Sequence, residues 1–436
     1  GYENTSRWVA TDVPALREEA YTSTIDNHLC KIDFQLKQME FPQQPVQEHI
    51  GSWAKAAEKL LKREDFGGEI MRPNNWLSDD VKKIVDGAAS IDEKKMRLYA
   101  FVRDNFTATT EYGMFINDNT TLKDIFRKRS GNVAEINLLL VAMLRQSGLS
   151  ADPVVISTRE NGWAHPYYPL VSKYNYVLCE TTMGGKAVYL DASKPKMGFG
   201  KLSPSCYNGA GFVVKTQPSN ILLQADSLSE SKFTMIFLTQ DEKNGLKGFF
   251  KTTPGYYEST SLREKLAKES LSDLIKEAKK RYSFPINIKN EFVDSLNKLE
   301  NPVSLGYDIS FDFEDQDIVY LNPMFSEATT KNPFSAAERR YPVEMPFKIS
   351  ENYVLNMEIP KGYKVDELPK SARVRLNEND GMFEYLISAD DKKIMLNCRI
   401  NLNKANFAAE DYRSLREFFG YVTKKQGEQI VLKKIK

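Results

Sequence analysis

The chain has 436 residues, of which 41% are hydrophobic and 27% are charged, an ordinary globular composition. Lysine and arginine number 60 against 59 aspartates and glutamates, a formal net charge of +1. This balance gives no support for a protein that binds nucleic acid or another polyanion. Because one hydrophobic core rarely grows past roughly 250–300 residues, we expect two or three domains.

The four cysteines and three histidines are too scattered to signal a metal site. Cys30, Cys179, Cys206 and Cys398 form no C-x-x-C pair, so the sequence predicts neither a zinc site nor a disulfide framework. We therefore expect no metal and no cofactor. No apolar run is long enough to predict a membrane span.

Residues 1–45 predict an extended tail with an alternating segment at 31–36. We expect this tail to be the end of a truncated N-terminal β-rich domain. The chain opens with Gly-Tyr-Glu-Asn and no Met, and a leading Gly commonly remains after tag removal. We therefore expect the chain to have been cut from a longer precursor.

Residues 46–218 predict a core of helices followed by strands. Apolar spacing indicates helices at 49–62, 91–106 and 122–129, and the segment 133–146 is apolar nearly all round, which is typical of a buried helix. Asn132 can cap that helix, with Glu135 completing a capping box. Strands are predicted at 153–158, 174–180 and 186–191. The expected fold class is α+β, with helices packed on an antiparallel sheet.

From residue 219 to 436 short alternating segments predict a β-rich, sandwich-like region. This region could form two lobes, 219–340 and 341–436. Helices are expected only at 261–282 and 412–426. The predicted strands are 233–238, 246–251, 303–311, 318–321, 354–359, 373–376, 383–389 and 393–402.

Several motifs in the segment 90–215 resemble the transglutaminase-like superfamily, whose core is of the papain, cysteine-proteinase type. The family places Gly-Asn or Gly-Asp before Cys-Ala-Glu at a buried helix, then a strand with Phe-Asn-His-Val and another with Leu-Asp-Ala-Thr. The matching stretches here are Gly131-Asn132-Val133-Ala134-Glu135, Tyr174-Asn175-Tyr176-Val177 and Leu190-Asp191-Ala192-Ser193. Similar cores in exported proteins of the Bacteroidetes type are often flanked by β-rich domains of unknown function. The resemblance therefore implies export to the periplasm or cell surface.

The resemblance places the catalytic nucleophile at Val133, the base at Tyr176 and the third member of the triad at Asp191. Such an enzyme needs a thiolate at a helix start and an imidazole beside it. Valine has no nucleophilic atom, and the phenol of tyrosine has an ordinary pKa of about 10, too high to collect a proton near neutral pH. We therefore expect no thiol catalysis at this site.

The remaining residues at this site also have structural interpretations. Asp191 could bond to turn amides, and Tyr176 could fill the volume of the missing imidazole and place its hydroxyl on Asp191. Val133 would then pack against Tyr176. Cys179 and Cys206 are expected to be buried structural residues.

The loop 159–169 offers candidates for binding. Trp163, Tyr167 and Tyr168 could stack on a sugar or hold an extended peptide, or could cover a domain junction. Arg159 could bind a ligand or anchor the loop, and Asn175 in the strand motif is a further candidate.

Three functions remain open from the sequence. The first is a catalytically inactive binding or scaffold module at the cell envelope, with a peptide or glycan in the former cleft. The second is a purely architectural component of an envelope complex, with a protein partner at the β-rich region. The third is an active hydrolase or peptidase with a relocated nucleophile such as Cys179, near His165.

Overall fold

The fold is that of a mixed α+β protein with a β-rich C-terminal region. A computed structural model describes residues 5–32, 34, 36, 38–48, 51–242, 245–313 and 316–435. Among the helices of this part of the chain, none is long and apolar enough to cross a membrane.

The first half of the chain carries several helices around one central, buried helix. The helices are α1 (Trp53–Lys62), α2 (Glu69–Met71), α3 (Ser78–Val85), α4 (Ile91–Asn105), α5 (Leu122–Lys128) and α6 (Val133–Gln146). From Val133 to Leu144 every residue of α6 is buried. As its all-round apolar pattern predicts, α6 forms the centre of the N-terminal core.

A five-stranded antiparallel sheet packs against α6 and runs in the order β7-β6-β5-β8-β9. The strands of this half are β1 (Gln38–Met39), β2 (Gln47–Glu48), β3 (Thr107–Ala108), β4 (Ser130–Gly131), β5 (Asp152–Ile156), β6 (Tyr176–Met183), β7 (Lys186–Leu190), β8 (Asn208–Val213) and β9 (Ser219–Gln224). The predicted order of helices, buried helix and antiparallel strands is confirmed.

The second half is built on an eight-stranded sheet in the order β12-β13-β11-β10-β16-β20-β19-β18. The strands are β10 (Ser229–Gln240), β11 (Leu246–Thr253), β12 (Asn287–Asp294), β13 (Ser304–Phe311), β14 (Ile318–Leu321), β15 (Val343–Glu344), β16 (Lys348–Glu358), β17 (Tyr363–Glu367), β18 (Ala372–Leu376), β19 (Gly381–Ala389), β20 (Lys393–Leu402), β21 (Asn406–Phe407) and β22 (Ile430–Lys434). The helices are α7 (Tyr256–Leu266), α8 (Leu271–Lys280) and α9 (Tyr412–Gln426). A single parallel pair, β10 with β16, joins the two parts of this sheet.

One face of the eight-stranded sheet forms the C-terminal core. In β16 the alternate residues Tyr353, Leu355 and Met357 are buried, as expected for a strand with one covered face. The covering layer includes a small sheet of β14, β22 and β17 and the helix α9. The second layer of the predicted sandwich is therefore a small sheet with helices.

Three details differ from the predictions. The segments 219–340 and 341–436 both contribute strands to the eight-stranded sheet, so they share one sheet instead of forming separate lobes. The helix predicted at 261–282 is two helices, because the Ser270 side chain accepts the Asp273 N–H and starts α8 as a new helix. The first predicted helix begins at Trp53 after the cap Ser52, and residues 49 and 50 lie outside the described part.

The tail 1–45 departs furthest from the prediction. Residues 31, 32, 34 and 36 of the alternating segment are not in a strand, and 33 and 35 lie outside the described residues. Residues 19–28 instead pack on the C-terminal region. There the Arg339 guanidinium donates to the carbonyls of Ala20 and Tyr21, and Ser23 donates its N–H and hydroxyl to Glu344.

Candidate functional site

The start of α6 is fixed by a complete capping box. Asn132 Oδ1 accepts the Glu135 N–H at 2.9 Å, and Glu135 Oε2 accepts the Asn132 N–H at 2.7 Å. Glu135 Oε1 also accepts the Asn117 N–H at 2.8 Å. The predicted cap is confirmed, and it places Val133 at the first turn of the helix.

The fold brings the three predicted triad positions together. Val133 begins α6, Tyr176 begins β6, and Asp191 follows β7. The Tyr176 hydroxyl donates to Asp191 Oδ2 at 2.6 Å, and Val133 and Tyr176 belong to one apolar cluster. The predicted hydrogen bond from tyrosine to aspartate is therefore present.

The Asp191 carboxylate is fully buried, and both its oxygens accept hydrogen bonds. Oδ1 accepts the Asn137 amide at 3.0 Å, the Ser193 N–H at 3.0 Å and the Ser193 hydroxyl at 2.6 Å. The predicted bond to a turn amide is thus also present. Asn137 in turn accepts the Ala192 N–H at 2.8 Å, which fixes the turn after β7 on α6.

No open groove lies at these positions. Val133 and Asp191 have no exposed surface and Tyr176 is 1% exposed. Cys206 and Leu202, from the segment after β7, pack into the same cluster and are also buried. The space around these three positions is therefore filled with side chains.

The electrostatics of the site oppose acid–base chemistry. Burial, together with the nearby Asp191 carboxylate, raises the pKa of the Tyr176 phenol well above its ordinary value. The phenol therefore stays protonated, and the hydrogen bond to Asp191 needs that proton. Burial and Asp191 also raise the pKa of the Cys206 thiol, and burial raises the pKa of the Cys179 thiol. Neither sulfur is a reactive thiolate near neutral pH.

Sequence reasoning missed Asn137 and Ser193. Asn137 is an amide between Ile136 and Leu138 on a helix that is otherwise mostly apolar, and a buried amide must find partners. That isolated amide was the available signal. Ser193 stands where the family motif has threonine, two residues after Asp191, the spacing of a side chain that bonds to a neighbouring turn.

Two of the five binding candidates serve the fold. Arg159 donates to the Glu344 carbonyl at 2.5 Å, which ties the loop 159–169 to β15. Asn175 Oδ1 accepts the Thr158 N–H at 2.9 Å, and its amide donates to Thr158 Oγ1 at 3.0 Å. Both side chains therefore hold the start of the loop 159–169 in place.

The other three candidates are exposed. Trp163 and Tyr168 are 51% and 53% exposed and line an open cavity of about 790 Å³. Tyr167 is 81% exposed and does not line this cavity. We call the cavity lined by Trp163 and Tyr168 the aromatic groove. Its described lining is Asn27, Lys31, Phe34, Trp163, Ala164, His165, Pro166, Tyr168, Leu170, Ser172 and Lys173.

Within the described ranges, no group of three or more His, Cys, Asp or Glu side chains could hold a metal ion. His165 lies on the exposed loop and packs on Tyr168, with ring centroids 4.5 Å apart. Cys179 is buried on β6, whereas Cys30 is exposed.

Comparison with known proteins identifies one domain family. Residues 317–432 match a domain of unknown function with a solved structure, DUF3858. No curated protein matches the chain. A crystal structure of a Parabacteroides distasonis protein, provisionally described as a protease, is similar at 14% identity and a TM-score of 0.49. The similarity covers 92% of this chain and 63% of that protein, so this chain spans less than two thirds of its length.

Proposed function

We propose that this chain is a catalytically inactive transglutaminase-like protein that acts as a binding or scaffold module at the cell envelope. One observation supports this proposal above all. The positions of nucleophile, base and acid lie together at the start of a buried helix and on two adjacent strands, but they hold Val133, Tyr176 and Asp191 in a packed cluster.

The arrangement supports the superfamily assignment. A transglutaminase-like triad takes one member from a helix start and two from neighbouring antiparallel strands. Here Val133 begins α6, and Tyr176 and Asp191 lie on or beside the paired strands β6 and β7. The hydrogen bond between Tyr176 and Asp191 has the connectivity that a histidine and its orienting carboxylate would have.

The chemistry supports inactivity. Losing one member of such a unit can cost about a million-fold in rate. Here two members are replaced, and the buried Tyr176 phenol has a raised pKa, so it cannot serve as a base near neutral pH. Cys179 and Cys206 are the two cysteines nearest to Tyr176 and Asp191 in the sequence. Their thiols are buried, and their raised pKa values keep them protonated near neutral pH.

The aromatic groove supports a binding role. Exposed aromatic rings around a concavity of a few hundred Å³ are typical of ligand sites. Since the former catalytic site is filled, we place binding of a peptide or glycan at this groove, beside the core. The filled site itself favours the second candidate, an architectural component, in which the loop only covers a surface.

Thiol reactivity tests the inactive assignment. We expect iodoacetamide to label Cys30 rapidly in the native protein and to leave Cys179, Cys206 and Cys398 unlabelled, because these three are buried. Peptide mapping by mass spectrometry reads out each site. Labelling in denaturant, where all four should react, is the control.

A rapidly labelled Cys179 or Cys206 would contradict the proposal and favour a relocated nucleophile. Hydrolysis of a casein or peptide substrate that a thiol reagent abolishes would also contradict the proposal.

Deleting the exposed part of the loop 159–169 separates the binding role from the architectural role. The architectural role predicts that an envelope partner still binds the deletion variant.

A further inference from the structure

We propose that β9, an edge strand of the five-stranded sheet, binds an extended, apolar segment of a partner protein by strand addition. The sheet runs in the order β7-β6-β5-β8-β9, so β9 pairs only with β8 among the described strands. The proposal is independent of the aromatic groove and of the loss of catalysis, because it rests on the backbone of a different element.

Hydrogen bonding between β5 and β8 shows which residues of β8 face β9. The Val214 N–H donates to the Pro153 carbonyl at 2.8 Å, directly across the pair of β5 and β8. Successive residues of a strand turn their N–H and C=O groups to opposite edges. Val214 therefore faces β5, whereas Val213 and Gly211 turn their backbone groups toward β9.

The same alternation identifies the backbone groups at the open edge of β9. Gly211 lies opposite Ile221, so the backbone groups of Ile221 bond to β8. Its neighbours Asn220 and Leu222 therefore each direct one N–H and one C=O away from the sheet. In the described part of the chain, these groups have no backbone partner outside the sheet. Another extended backbone supplies the matching row of donors and acceptors.

The β9 strand also lacks the charged side chains found on the other edges of the two large sheets. Its sequence, Ser-Asn-Ile-Leu-Leu-Gln, contains no charged residue. By contrast, the charged residues of the edge strands β7, β12 and β18 are Lys186, Lys289, Glu291, Asp294, Arg373 and Arg375. Charges on an edge strand discourage pairing with another chain. Of these four edges, β9 is therefore the one whose side chains leave it open to an added strand.

A cavity of about 420 Å³ beside β9 indicates which side chains the added strand carries. We call it the β9 cavity. Leu222, which is 63% exposed, lines it together with Ala210 of β8 and with Trp163, Ala164 and Pro166 of the loop 159–169. Residues directly opposite each other on paired strands share one face of the sheet. Every second side chain of an added strand therefore lies beside Leu222 and over this apolar lining.

An extended segment with apolar side chains at alternate positions matches both the edge and the cavity. Its backbone pairs with the open edge, and its alternate leucine, valine or phenylalanine side chains cover the lining. A second copy of β9 is a poorer match. In an antiparallel pair of two β9 strands centred on Ile221, Asn220 of one copy lies opposite Leu222 of the other. An amide would then face the apolar lining and lose its contact with water.

Backbone N-methylation tests strand addition by fluorescence anisotropy on the full chain. The parent probe is a labelled nonapeptide with leucine or valine at every second position, threonine between them and a lysine at each end. One analogue carries N-methyl groups on the amides of the apolar residues, and the other carries them on the threonine amides. Because only one alternating set of amides faces β9, we expect one analogue to bind at least tenfold more weakly and the other to bind like the parent.

The sensitive set also gives the direction of the added strand. An antiparallel strand pairs through the residues opposite Asn220 and Leu222, whereas a parallel strand pairs through their neighbours. A further peptide with serine in place of the apolar residues should bind at least tenfold more weakly than the parent, because it leaves the lining uncovered.

Variants locate the binding at β9. Asn220→Pro removes one outward N–H and should weaken the parent peptide about tenfold, whereas Asn220→Ala keeps that N–H and is the matched control. Leu222→Lys places a charge at the edge and should weaken the peptide at least as much. Tyr168→Ala, at a residue that lines the aromatic groove but not the β9 cavity, should have no effect. Circular dichroism verifies that each variant is folded.

Amide hydrogen exchange measures the same pairing without any substitution. In the free chain the Ile221 amide should be protected by β8, whereas the Asn220 and Leu222 amides should exchange rapidly. Saturating parent peptide should slow the exchange of these two amides and leave that of Ile221 unchanged.

Three results would overturn the proposal. The first is the absence of measurable binding of the parent peptide, and the second is an equal effect of N-methylation on both sets of amides. The third is a dimer in analytical ultracentrifugation that Leu222→Lys dissociates, which would assign the edge to a second copy of the chain. None of these results concerns the cluster around Asp191, so thiol reactivity tests the proposed function separately.

Discussion

The packed cluster around Val133, Tyr176 and Asp191 and the aromatic groove differ in burial and in hydrogen bonding. In the packed cluster these three residues are buried and the Asp191 carboxylate accepts four hydrogen bonds. At the groove, Trp163 and Tyr168 leave about half of their surfaces in contact with solvent. The cluster satisfies its buried polar groups internally, whereas the groove keeps large aromatic side chains exposed.

This contrast shows how the packed cluster accommodates a buried carboxylate. A carboxylate at the end of β7 costs free energy when buried unless it is hydrogen-bonded. Tyr176 donates its hydroxyl to this carboxylate, and Val133 belongs to the same apolar cluster as the Tyr176 ring. The three residues therefore form part of a satisfied, packed core.

The largest expected effect comes from removing the shared acceptor of the packed site. Asp191→Ala removes an acceptor from the Tyr176 hydroxyl, the Asn137 amide and the Ser193 N–H, which are all buried. The Asn137 amide keeps the Val177 carbonyl, and the Tyr176 hydroxyl keeps Ser193 Oγ. Each lost hydrogen bond costs about 1–3 kcal/mol, so we expect a loss of about 3–5 kcal/mol in the free energy of unfolding. Urea denaturation followed by circular dichroism measures it.

Asp391→Ala, at an exposed turn position, is the matched control and should leave stability unchanged. If Asp191→Ala fails to fold, Asp191→Asn keeps two side-chain polar atoms and should show a smaller loss. A loss below about 1 kcal/mol for Asp191→Ala would mean that the network does not stabilise the core.

Tyr176→Phe removes the hydroxyl that donates to Asp191 Oδ2 and that also lies 3.3 Å from Ser193 Oγ. Asp191 Oδ2 then loses the hydroxyl donor, while Oδ1 keeps its three donors. Because hydrogen bonds to charged groups contribute about 1.5–3 kcal/mol, we expect a loss in that range by the same denaturation. Tyr320→Phe, on an exposed ring, should have no effect. If Tyr176→Phe lowers the free energy of unfolding no more than Tyr320→Phe does, the Tyr176 hydroxyl does not contribute to stability.

Val133→Cys places a thiol at the start of α6 in a packed environment. We expect a stability loss of about 1 kcal/mol and a thiol that iodoacetamide does not reach in the native state, because position 133 has no exposed surface. Cys30 serves as the internal reference for a reachable thiol. Labelling of the new thiol as fast as Cys30 would indicate that the site opens.

Glu230 shares features with both regions. Its side chain is buried, but only one of its two carboxylate oxygens has hydrogen-bond partners in the described structure. Oε1 accepts the N–H groups of Tyr257 and Glu258, each at 2.9 Å, whereas the buried Oε2 has no hydrogen-bond partner in the described structure. Burial raises the pKa of this carboxyl above its ordinary value. The folded state therefore binds the proton more tightly than the unfolded state, and stability falls as pH rises through that interval.

Glu230→Gln should flatten this dependence, so that the unfolding free energy no longer decreases as pH rises from the ordinary glutamate pKa to the raised one. Thermal denaturation across that pH interval measures it. Glu378→Gln, at an exposed position, is the control. Identical pH profiles for Glu230→Gln and the unsubstituted chain would contradict the assignment.

Sequence patterns predicted the buried core well because local and long-range signals agree there. The apolar α6 with its capping box, and the alternating strands of the second half, have patterns that leave few alternatives. The tail was predicted wrongly in part, because alternation at 31–36 cannot show that residues 19–28 bind Arg339 and Glu344, which are far away in sequence.

At the candidate site, too, some features could be predicted from the sequence and others could not. The hydrogen bond between Tyr176 and Asp191 could be predicted, because a buried carboxylate must be hydrogen-bonded, whereas the loss of catalysis at Val133 and Tyr176 stays a prediction. The aromatic loop was recognised, but the groove was not, since Asn27 and Lys31 come from a segment more than 100 residues earlier in the chain. A hydrogen bond between residues of neighbouring strand motifs can be predicted from sequence, whereas a cavity between distant segments cannot.

The smallest expected effect concerns the stability of the groove. Trp163→Ala removes an indole that is half exposed and belongs to none of the apolar core clusters, so we expect the free energy of unfolding to change by about 0.5 kcal/mol or less. Trp53→Ala is the matched tryptophan control, because Trp53 packs on Phe212 in the core at 4.8 Å and should cost several times more. A loss at Trp163 as large as at Trp53 would mean that the loop aromatics serve the fold. In that case the contrast between a closed site and an open one would no longer favour a ligand.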